Sequence, residues 1–245
     1  MKAADEVLAA SSAATVGKRW SEVRTGWEAI QSGGLQMKPR DNLVAHTALI
    51  RKVILALHDM SDDGNLTLDP SADSYYLIDN VMRRVPDVSE RLGRLRAMGT
   101  GVLAAKTLDE QRRFDISSQL GELNMALADF NENLQRAAAN NPELKTALAK
   151  LEQEFGVVTS SVVDELQEHM LKGDFEMAAP VYFALVTKAI DMTYAKTYDV
   201  LIPGAQALLS ARLDRLSRAL TIDAVLAALA VLLLLYLASA FCLAV

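Results

Sequence analysis

The last 22 residues of the chain, Ala224 to Val245, contain no charged side chain and consist almost entirely of apolar or small residues. As a helix rising about 1.5 Å per residue, this stretch is about 33 Å long, and the hydrocarbon core of a bilayer is about 30 Å thick. A helix also satisfies its own backbone polar groups, as lipid requires. The alternative is a buried core helix, but such helices seldom stay apolar on every face for this length. The sequence therefore predicts a transmembrane helix at residues 223–245, after a helical-bundle domain at residues 1–222.

Charge and cysteine content restrict the partners of the chain. It carries 31 Asp and Glu against 25 Lys and Arg, and an acidic surface does not suit the phosphates of a nucleic acid. We therefore expect no nucleic-acid partner. The one cysteine, Cys242, lies inside the apolar stretch, so it forms no disulfide within the chain and is expected to be a small packing residue.

The N-terminus lacks the pattern of a signal peptide. Residues 1–12 carry charges at Lys2, Asp5 and Glu6 and have no continuous apolar core. If the helical domain is extracytoplasmic, a first membrane span is expected to be missing upstream. If nothing is missing, the protein is tail-anchored and its bulk lies in the cytoplasm.

Apolar residues recur at steps of three and four throughout the region before the span, which predicts amphipathic helices. The sequence therefore predicts an all-α fold, an elongated antiparallel helical bundle of about six helices followed by a C-terminal transmembrane helix. The predicted apolar seams run from Val16 to Ile30, Leu43 to Leu57, Val81 to Val102, Ile116 to Leu134, Leu144 to Met170 and Phe183 to Tyr194. The second consists of Leu43, Thr47, Ile50, Ile54 and Leu57, and the sixth of Phe183, Val186, Ile190 and Tyr194.

Polar residues and prolines mark where these helices begin or are interrupted. Thr107 with Glu110 fits a capping box for the fourth helix. Pro86 is expected to kink the third helix or restart it, and Pro203 with Gly204 is expected to bend the sixth. The candidate caps of the second, third and sixth helices are Asp41 or Asn42, Asp73 and Asp174.

Metal and catalytic motifs are weak in this sequence. From Asp59 to Pro70, oxygen-bearing residues and a glycine follow the first half of an EF-hand loop, but Pro70 occupies the position of the bidentate glutamate. A polar turn between two helices is the alternative interpretation. The three histidines do not have the spacing of a zinc site, and no nucleophile elbow or phosphate loop is present. We therefore expect no metal, no cofactor and no enzymatic activity.

Arginines are concentrated on the third predicted helix, after a pair of tyrosines. Arg84 and Arg91, seven residues apart, lie on one side of a helix. Because a guanidinium donates two parallel hydrogen bonds to a carboxylate or phosphate, a small anionic ligand is the predicted partner, and Tyr75, Tyr76, Arg84 and Arg91 are the candidate ligand-binding residues. The alternative is a solvated face on which the arginines pair with acidic residues of the same helix, namely Asp79, Asp87 and Glu90.

One segment, NLTLDPSADSYYLIDNVMRRVPDVSERLGRLRAMGTGVL from Asn65 to Leu103, resembles a known family. It is similar to the extracytoplasmic input region of bacterial methyl-accepting chemotaxis proteins, with relatives among sensor histidine kinases. The family pattern has an LxLDPxxDSYYLMD junction, matched at Leu66 to Asp79, and a helix ending in LGRLRGxG, matched at Leu92 to Gly99. A second stretch, Tyr182 to Leu213, is similar to the last sensor helix, which leads into the second span.

The resemblance implies the sensor half of a longer, dimeric receptor in the bacterial inner membrane, with its bundle mostly periplasmic and its span in membrane lipid. Such receptors relay a ligand-induced helix displacement to a cytoplasmic signalling module, which is missing from this chain along with the first span. Two alternatives stay open: the input region of a sensor histidine kinase, and a tail-anchored cytosolic coiled-coil scaffold.

The charges beside the span oppose a periplasmic bundle. Arg212, Arg215 and Arg218 precede the span, and no Lys or Arg follows it. Taken alone, the positive-inside rule places the bundle in the cytoplasm. The rule compares two flanks, however, and in a truncated receptor the downstream flank is absent.

Overall fold

The computed structural model describes Asp5 and residues 14–244, and none of these residues lies in a strand. Residues 1–4 and 6–13, which belong to the N-terminal stretch without a signal-peptide pattern, lie outside this description, as do Val245 and the side chain of Cys242. The all-α prediction, with its long apolar C-terminal helix, is confirmed. The α-helices are α1 (Ala14–Gly33), α2 (Pro39–Asp63), α3 (Ala72–Asp79), α4 (Val85–Ala105), α5 (Glu110–Asn140), α6 (Lys145–Asp164), α7 (Ala179–Lys196) and α8 (Ile202–Ala244).

Short helical segments of other types connect several of these elements. Three turns of π-helix follow α3, α6 and α7, at Asn80–Arg84, Glu165–His169 and Thr197–Leu201. A π turn holds one more residue than an α turn, and such turns often occur at functional sites. The first and third of these π turns pack against each other. Short 3₁₀ segments lie at Gly34–Gln36, Pro142–Leu144 and Met170–Lys172.

The chain divides into two compact units, Met1–Gly204 and Ala205–Val245. In the first unit, α4 packs against both α5 and α7, while α6 packs between α5 and α7 and so completes a four-helix arrangement. The α1–α2 hairpin joins this arrangement through contacts of α2 with α4. The predicted domain boundary at residue 222 was set by hydropathy alone and lies within the second unit.

Side-chain bonds establish that neighbouring helices run antiparallel. Asn141 bonds to Asp73, Asn80 bonds to the Phe130 carbonyl and Arg91 bonds to Glu122. Residue numbers thus rise along α3 and α4 while they fall along α5. The same holds for α7, because Tyr182 lies beside Gly99 and Gly204 lies beside Leu77.

The core of the first unit is formed by the seams predicted for α4, α5 and α6. Most of their large side chains are fully buried, and burying one such side chain contributes about 1.5–3 kcal/mol. Phe130 and Phe155 meet edge to face with ring centroids 5.1 Å apart. The buried seam residues include Val88, Leu92, Leu95, Ile116, Leu123, Leu134, Leu148, Leu151, Val162 and Leu166.

Three of the predicted seams were partly wrong. On α1, Trp27 is 41% exposed. On α2, Leu49 and Ala56 are buried and Ile50 is 39% exposed, because this helix contacts α1 and α4 with different faces. On α7, Phe183 and Tyr194 are exposed. The buried residues of that helix are Tyr182, Val186, Ala189 and Thr193. Of these, Val186 was predicted, whereas a search for large apolar side chains does not detect the small Ala189 or the polar Thr193.

Most of the predicted caps were also wrong. Asp109, not Thr107, caps α5, and its carboxylate accepts a hydrogen bond of 2.8 Å from the Arg112 amide. Asp73 lies in the first turn of α3, after the N-cap Ser71. For α2 and α7 a proline near the first position sets the start. The N-caps there are Lys38 and Ala178, in place of Asp41 or Asn42 and Asp174.

Both internal prolines follow a π turn. Pro86 lies in the first turn of α4, which restarts directly after Asn80–Arg84. Pro203 lies in the first turn of α8, which begins after Thr197–Leu201. Proline lacks an amide donor, so the change of hydrogen-bond pattern in each π turn accommodates it. The predicted restart at Pro86 is thereby confirmed.

The second unit is the C-terminal part of α8. Among the described residues, one helix is long and apolar enough to cross a membrane, judged by length and composition. It is continuous from Ala179 to Phe241, and its most apolar window has a mean hydropathy of 2.6 and no buried residues. Three leucines before the span are exposed as well, since Leu213 and Leu220 are each 68% exposed and Leu216 is 55% exposed.

Candidate functional site

Two cavities open along α3 and α4, and together they contain all four predicted ligand-binding residues. The first, of about 250 Å³, is called the tyrosine cavity, and the second, of about 390 Å³, is called the Arg51 cavity. The tyrosine cavity is lined by Tyr75, Tyr76, Asp79, Arg84, Asp129, Glu132, Asn133 and Arg136. The Arg51 cavity is lined by Arg51, Ile54, Leu55, His58, Asp87, Glu90, Arg91, Arg94 and Glu122.

The aromatic wall of the tyrosine cavity is already occupied by a cation of the protein. Tyr75 and Tyr76 meet edge to face at 5.2 Å. The Arg136 guanidinium lies 5.5 Å from the Tyr76 ring centroid and donates a 3.0 Å hydrogen bond to the Tyr76 hydroxyl. These bonds, together with one to Glu132, raise the pKa of Arg136. The cation–π position that a ligand would take at Tyr76 is therefore filled.

A polar network at the first π turn forms the base of the tyrosine cavity. The Asn80 amide is fully buried and donates to the Phe130 carbonyl at 3.2 Å. Asn133 donates to Asp79 at 2.8 Å and to the Asn80 oxygen at 3.1 Å. The π turn directs Asn80 towards α5, and the network joins this turn and the end of α3 to α5.

Arg84 connects this network to the solvent-exposed rim. Its Nε donates to Asp79 at 2.9 Å and its Nη1 donates to Asp129 at 2.6 Å. Partial burial lowers the pKa of Arg84, but the hydrogen bond and charge of Asp79 and the charge of Asp129 outweigh it, and the net pKa is raised. A ligand carboxylate at Arg84 would have to compete with two carboxylates of the protein.

The same-helix ion pairs expected for a solvated arginine face are all present. Arg83 and Arg84 lie beside Asp79, at 3.8 and 2.9 Å. Arg91 pairs with Asp87 at 3.1 Å, and Arg94 pairs with Glu90 at 2.7 Å. Arg96 contacts α7 instead, because its guanidinium lies 4.6 Å from the Phe183 ring centroid. Tyr75, Tyr76 and Arg84 thus share one cavity, and Arg91 lies in the other.

In the Arg51 cavity, residues of α2 face the charged surface of α4. Arg91 binds both Asp87 of its own helix and Glu122 of α5. His58 is half-buried, and this burial lowers its pKa, as does the positive charge of Arg83. Arg51 forms no hydrogen bond or ion pair with any residue that the structure describes.

The residues on the opposite walls of these cavities were not predicted from the sequence, because the predicted site was confined to the third helix. Glu122, Asp129, Asn133 and Arg136 lie on α5, outside the motif that drew attention to the arginines. The sequence of α2 did contain a signal, because residues three and four positions apart line one side of this helix. These residues are Arg51, Ile54, Leu55 and His58.

Two carboxylates of the EF-hand-like stretch from Asp59 to Pro70 are engaged by protein groups. Asp59 accepts a 2.8 Å hydrogen bond from Arg19, and Asp69 accepts hydrogen bonds from the Ser71 amide and the Ser74 hydroxyl. Among the described residues, no three His, Cys, Asp or Glu side chains come together in a way that could hold a metal ion. The polar-turn interpretation fits these contacts.

Comparison with protein-family models, with curated proteins and with solved structures gave no match for this chain. What the two cavities can bind therefore follows from their own geometry and charge.

The polar network leads to a prediction for Asn80. We expect Asn80→Ala to lower the free energy of unfolding by about 1–3 kcal/mol, because it leaves the Asn133 amide and a buried carbonyl short of partners. Chemical denaturation followed by circular dichroism measures the change. The matched control is Asn124→Ala on the exposed face of α5, expected within about 0.5 kcal/mol of the wild type. Equal effects of the two substitutions would show that the network contributes no stability.

Proposed function

We propose that this chain is the input region of a bacterial transmembrane receptor of the chemoreceptor type, and that it relays a displacement of α7 across the membrane. In this proposal the bundle is periplasmic, the chain is a homodimer in the inner membrane, and its role is signalling rather than catalysis. The sequence resemblance at Asn65 to Leu103 supports the receptor class.

The single observation that carries the proposal is the continuity of the helix from Ala179 to Phe241. Its first part packs in the bundle against α4 and α6. Its last part is the apolar span. A helix without a break transmits a rotation or a shift along its axis, so a change at α7 reaches the span without further contacts.

The contact between α7 and α4 is where such a displacement would begin. The Tyr182 ring is fully buried against Gly99, and its hydroxyl donates a 3.0 Å hydrogen bond to the Leu95 carbonyl. A ligand shifts an equilibrium between two positions of α7 only if it binds them with different affinities. Both cavities adjoin α3 or α4, so a ligand that moves α4 would also move its neighbour α7.

A chimera tests the proposal directly. The full chain is placed after the first span of a characterised chemoreceptor and before its HAMP linker and signalling hairpin, and kinase output is measured in cells that lack other receptors. We expect amino acids or organic acids to change the output. Gln206→Gly with Ala207→Gly weakens the helix between bundle and span by about 2 kcal/mol and is expected to abolish the response, while Gln206→Ala preserves it.

The outcome also separates the alternatives. The receptor proposal would be contradicted by a chimera that reaches the membrane but whose kinase output changes neither with any compound nor with the two glycine substitutions. The tail-anchored scaffold is favoured by one observation, the three arginines before the span. It predicts that a cysteine at the exposed position 160 of α6 (Ser160→Cys in a Cys242→Ser background) is shielded from a membrane-impermeant maleimide in intact cells.

A further inference from the structure

The charges that line the Arg51 cavity do not all pair with one another. Three guanidiniums, Arg51, Arg91 and Arg94, face three carboxylates, those of Asp87, Glu90 and Glu122. The cavity is therefore neutral overall when His58 is uncharged. The Arg94–Glu90 pair is self-contained, with Nε and Oε1 separated by 2.7 Å, and the Glu90 side chain is only 9% exposed.

The remaining charges are distributed unequally. Arg91 forms ion pairs with two carboxylates, those of Asp87 at 3.1 Å and of Glu122 on α5. Both of these carboxylates stay exposed on one side, at 44% and 43% of their side-chain surfaces. Arg51 has no partner among the described residues. Within this cavity, the positive charge of Arg51 is thus uncompensated, and one excess negative charge is shared between Asp87 of α4 and Glu122 of α5.

Apolar side chains also line this cavity. Ile54 and Leu55 follow Arg51 on the same side of α2 and line the cavity. A cavity of about 390 Å³ lies in the range that holds small organic molecules. Its lining therefore offers a guanidinium, an aliphatic surface and a pair of carboxylates.

We propose that the Arg51 cavity binds a small aliphatic zwitterion, whose carboxylate pairs with Arg51 and whose ammonium group is accepted by Asp87 and Glu122. A guanidinium that has no protein partner is free to form the bidentate bond with a carboxylate. The ammonium group supplies the second positive charge that Arg91 alone cannot provide to two carboxylates. The aliphatic part packs on Ile54 and Leu55, and ligand binding would join α2 to α4 and α5.

This inference deepens the proposed receptor function, on which its signalling consequence rests, whereas binding itself is measured on the full chain without any signalling partner. The probes are leucine, 4-methylpentanoate, which lacks the ammonium group, and 3-methylbutylamine, which lacks the carboxylate. Isothermal titration of the full chain in detergent micelles is expected to show saturable binding of leucine, with each single-charge probe bound at least about tenfold more weakly.

Variants locate the site. Arg51→Gln is expected to weaken leucine binding by about ten- to one-hundredfold, as for loss of a charge-assisted hydrogen bond. Arg40→Gln is the matched control, because Arg40 is an exposed arginine of the same helix that does not line the cavity. Both variants should keep the wild-type unfolding midpoint, since neither guanidinium has a partner in the fold.

Several results would overturn the inference. Equal binding of 4-methylpentanoate and leucine would make the cavity a simple anion site, and equal binding of the amine would make it a cation site. No saturable leucine binding by the folded chain, or unchanged binding after Arg51→Gln, would exclude the zwitterion from this cavity. A chimera that does not signal although leucine binds would refute the receptor proposal and leave the binding inference intact.

Discussion

Gly99→Ala is expected to lower the free energy of unfolding by about 1–3 kcal/mol, the typical cost of an overpacked core. A Cβ atom at this position would lie 2.5 Å from Cε1 and 2.6 Å from Cζ of Tyr182. Tyr182 cannot turn aside, because its ring is fully buried and its hydroxyl is bonded to the Leu95 carbonyl. The added methyl group therefore has to push α4 and α7 apart. Thermal and denaturant unfolding of the full chain measure the loss.

Gly93→Ala on the same helix is the control for Gly99→Ala. No atom lies within 4 Å of a Cβ built at Gly93. Since glycine in a helix interior costs roughly 0.5–1 kcal/mol relative to alanine, this substitution is expected to raise the stability. The two glycines should therefore respond with opposite signs. A loss of stability in both variants would mean that the close approach at Tyr182 does not decide the effect.

Phe155→Ala is expected to cost about 3–5 kcal/mol, the usual range for removing a buried phenylalanine. The Phe155 side chain is only 2% exposed and packs edge to face on Phe130. Its removal leaves a cavity between α5 and α6, which the surrounding large side chains fill only in part. Urea denaturation monitored by far-ultraviolet circular dichroism gives the change in free energy.

A second phenylalanine provides the comparison for Phe155. Phe114 on α5 is 68% exposed, and Phe114→Ala is expected to change stability by less than about 0.5 kcal/mol. Both substitutions remove the same atoms, so the difference between them isolates burial in the core. If Phe155→Ala and Phe114→Ala lowered the free energy of unfolding by the same amount, the assigned core of the bundle would be wrong.

The predictability of this fold from sequence differed between its helices. The seams of α4, α5 and α6 consist of large aliphatic residues at regular spacing, and their burial could be predicted from periodicity. Periodicity failed on α2 because two neighbours contact different faces, which placed Ile50 partly in solvent. It failed in part on α7 because the buried face includes Ala189 and Thr193, which are small or polar, beside the correctly predicted Val186.

For the candidate sites, the local sequence predicted the residues on one helix but not their partners on α5. Tyr75, Tyr76 and Arg84 could be grouped from their positions on one helix, and they do share a cavity. Their binding partners on α5 come from residues about 45–60 positions away, which no spacing rule relates to them. The lack of an ion-pair partner for Arg51 on its own helix could be predicted, because no Asp or Glu lies three or four residues from it. The lack of a partner on a neighbouring helix is a property of the packed structure.

The paired π turns have a consequence for how the bundle tolerates insertions and deletions. Gly99 lies opposite Tyr182 and Leu77 lies opposite Gly204, so 22 residues separate the two positions on each helix. Each of these intervals contains one π turn, and the two extra residues therefore compensate each other. Deleting one residue from a single turn would rotate the following helix by about 100° and put the two helices out of phase. Deleting one residue from each of the two turns would restore the phase. A deletion in one turn should therefore suppress the effect of a deletion in the other.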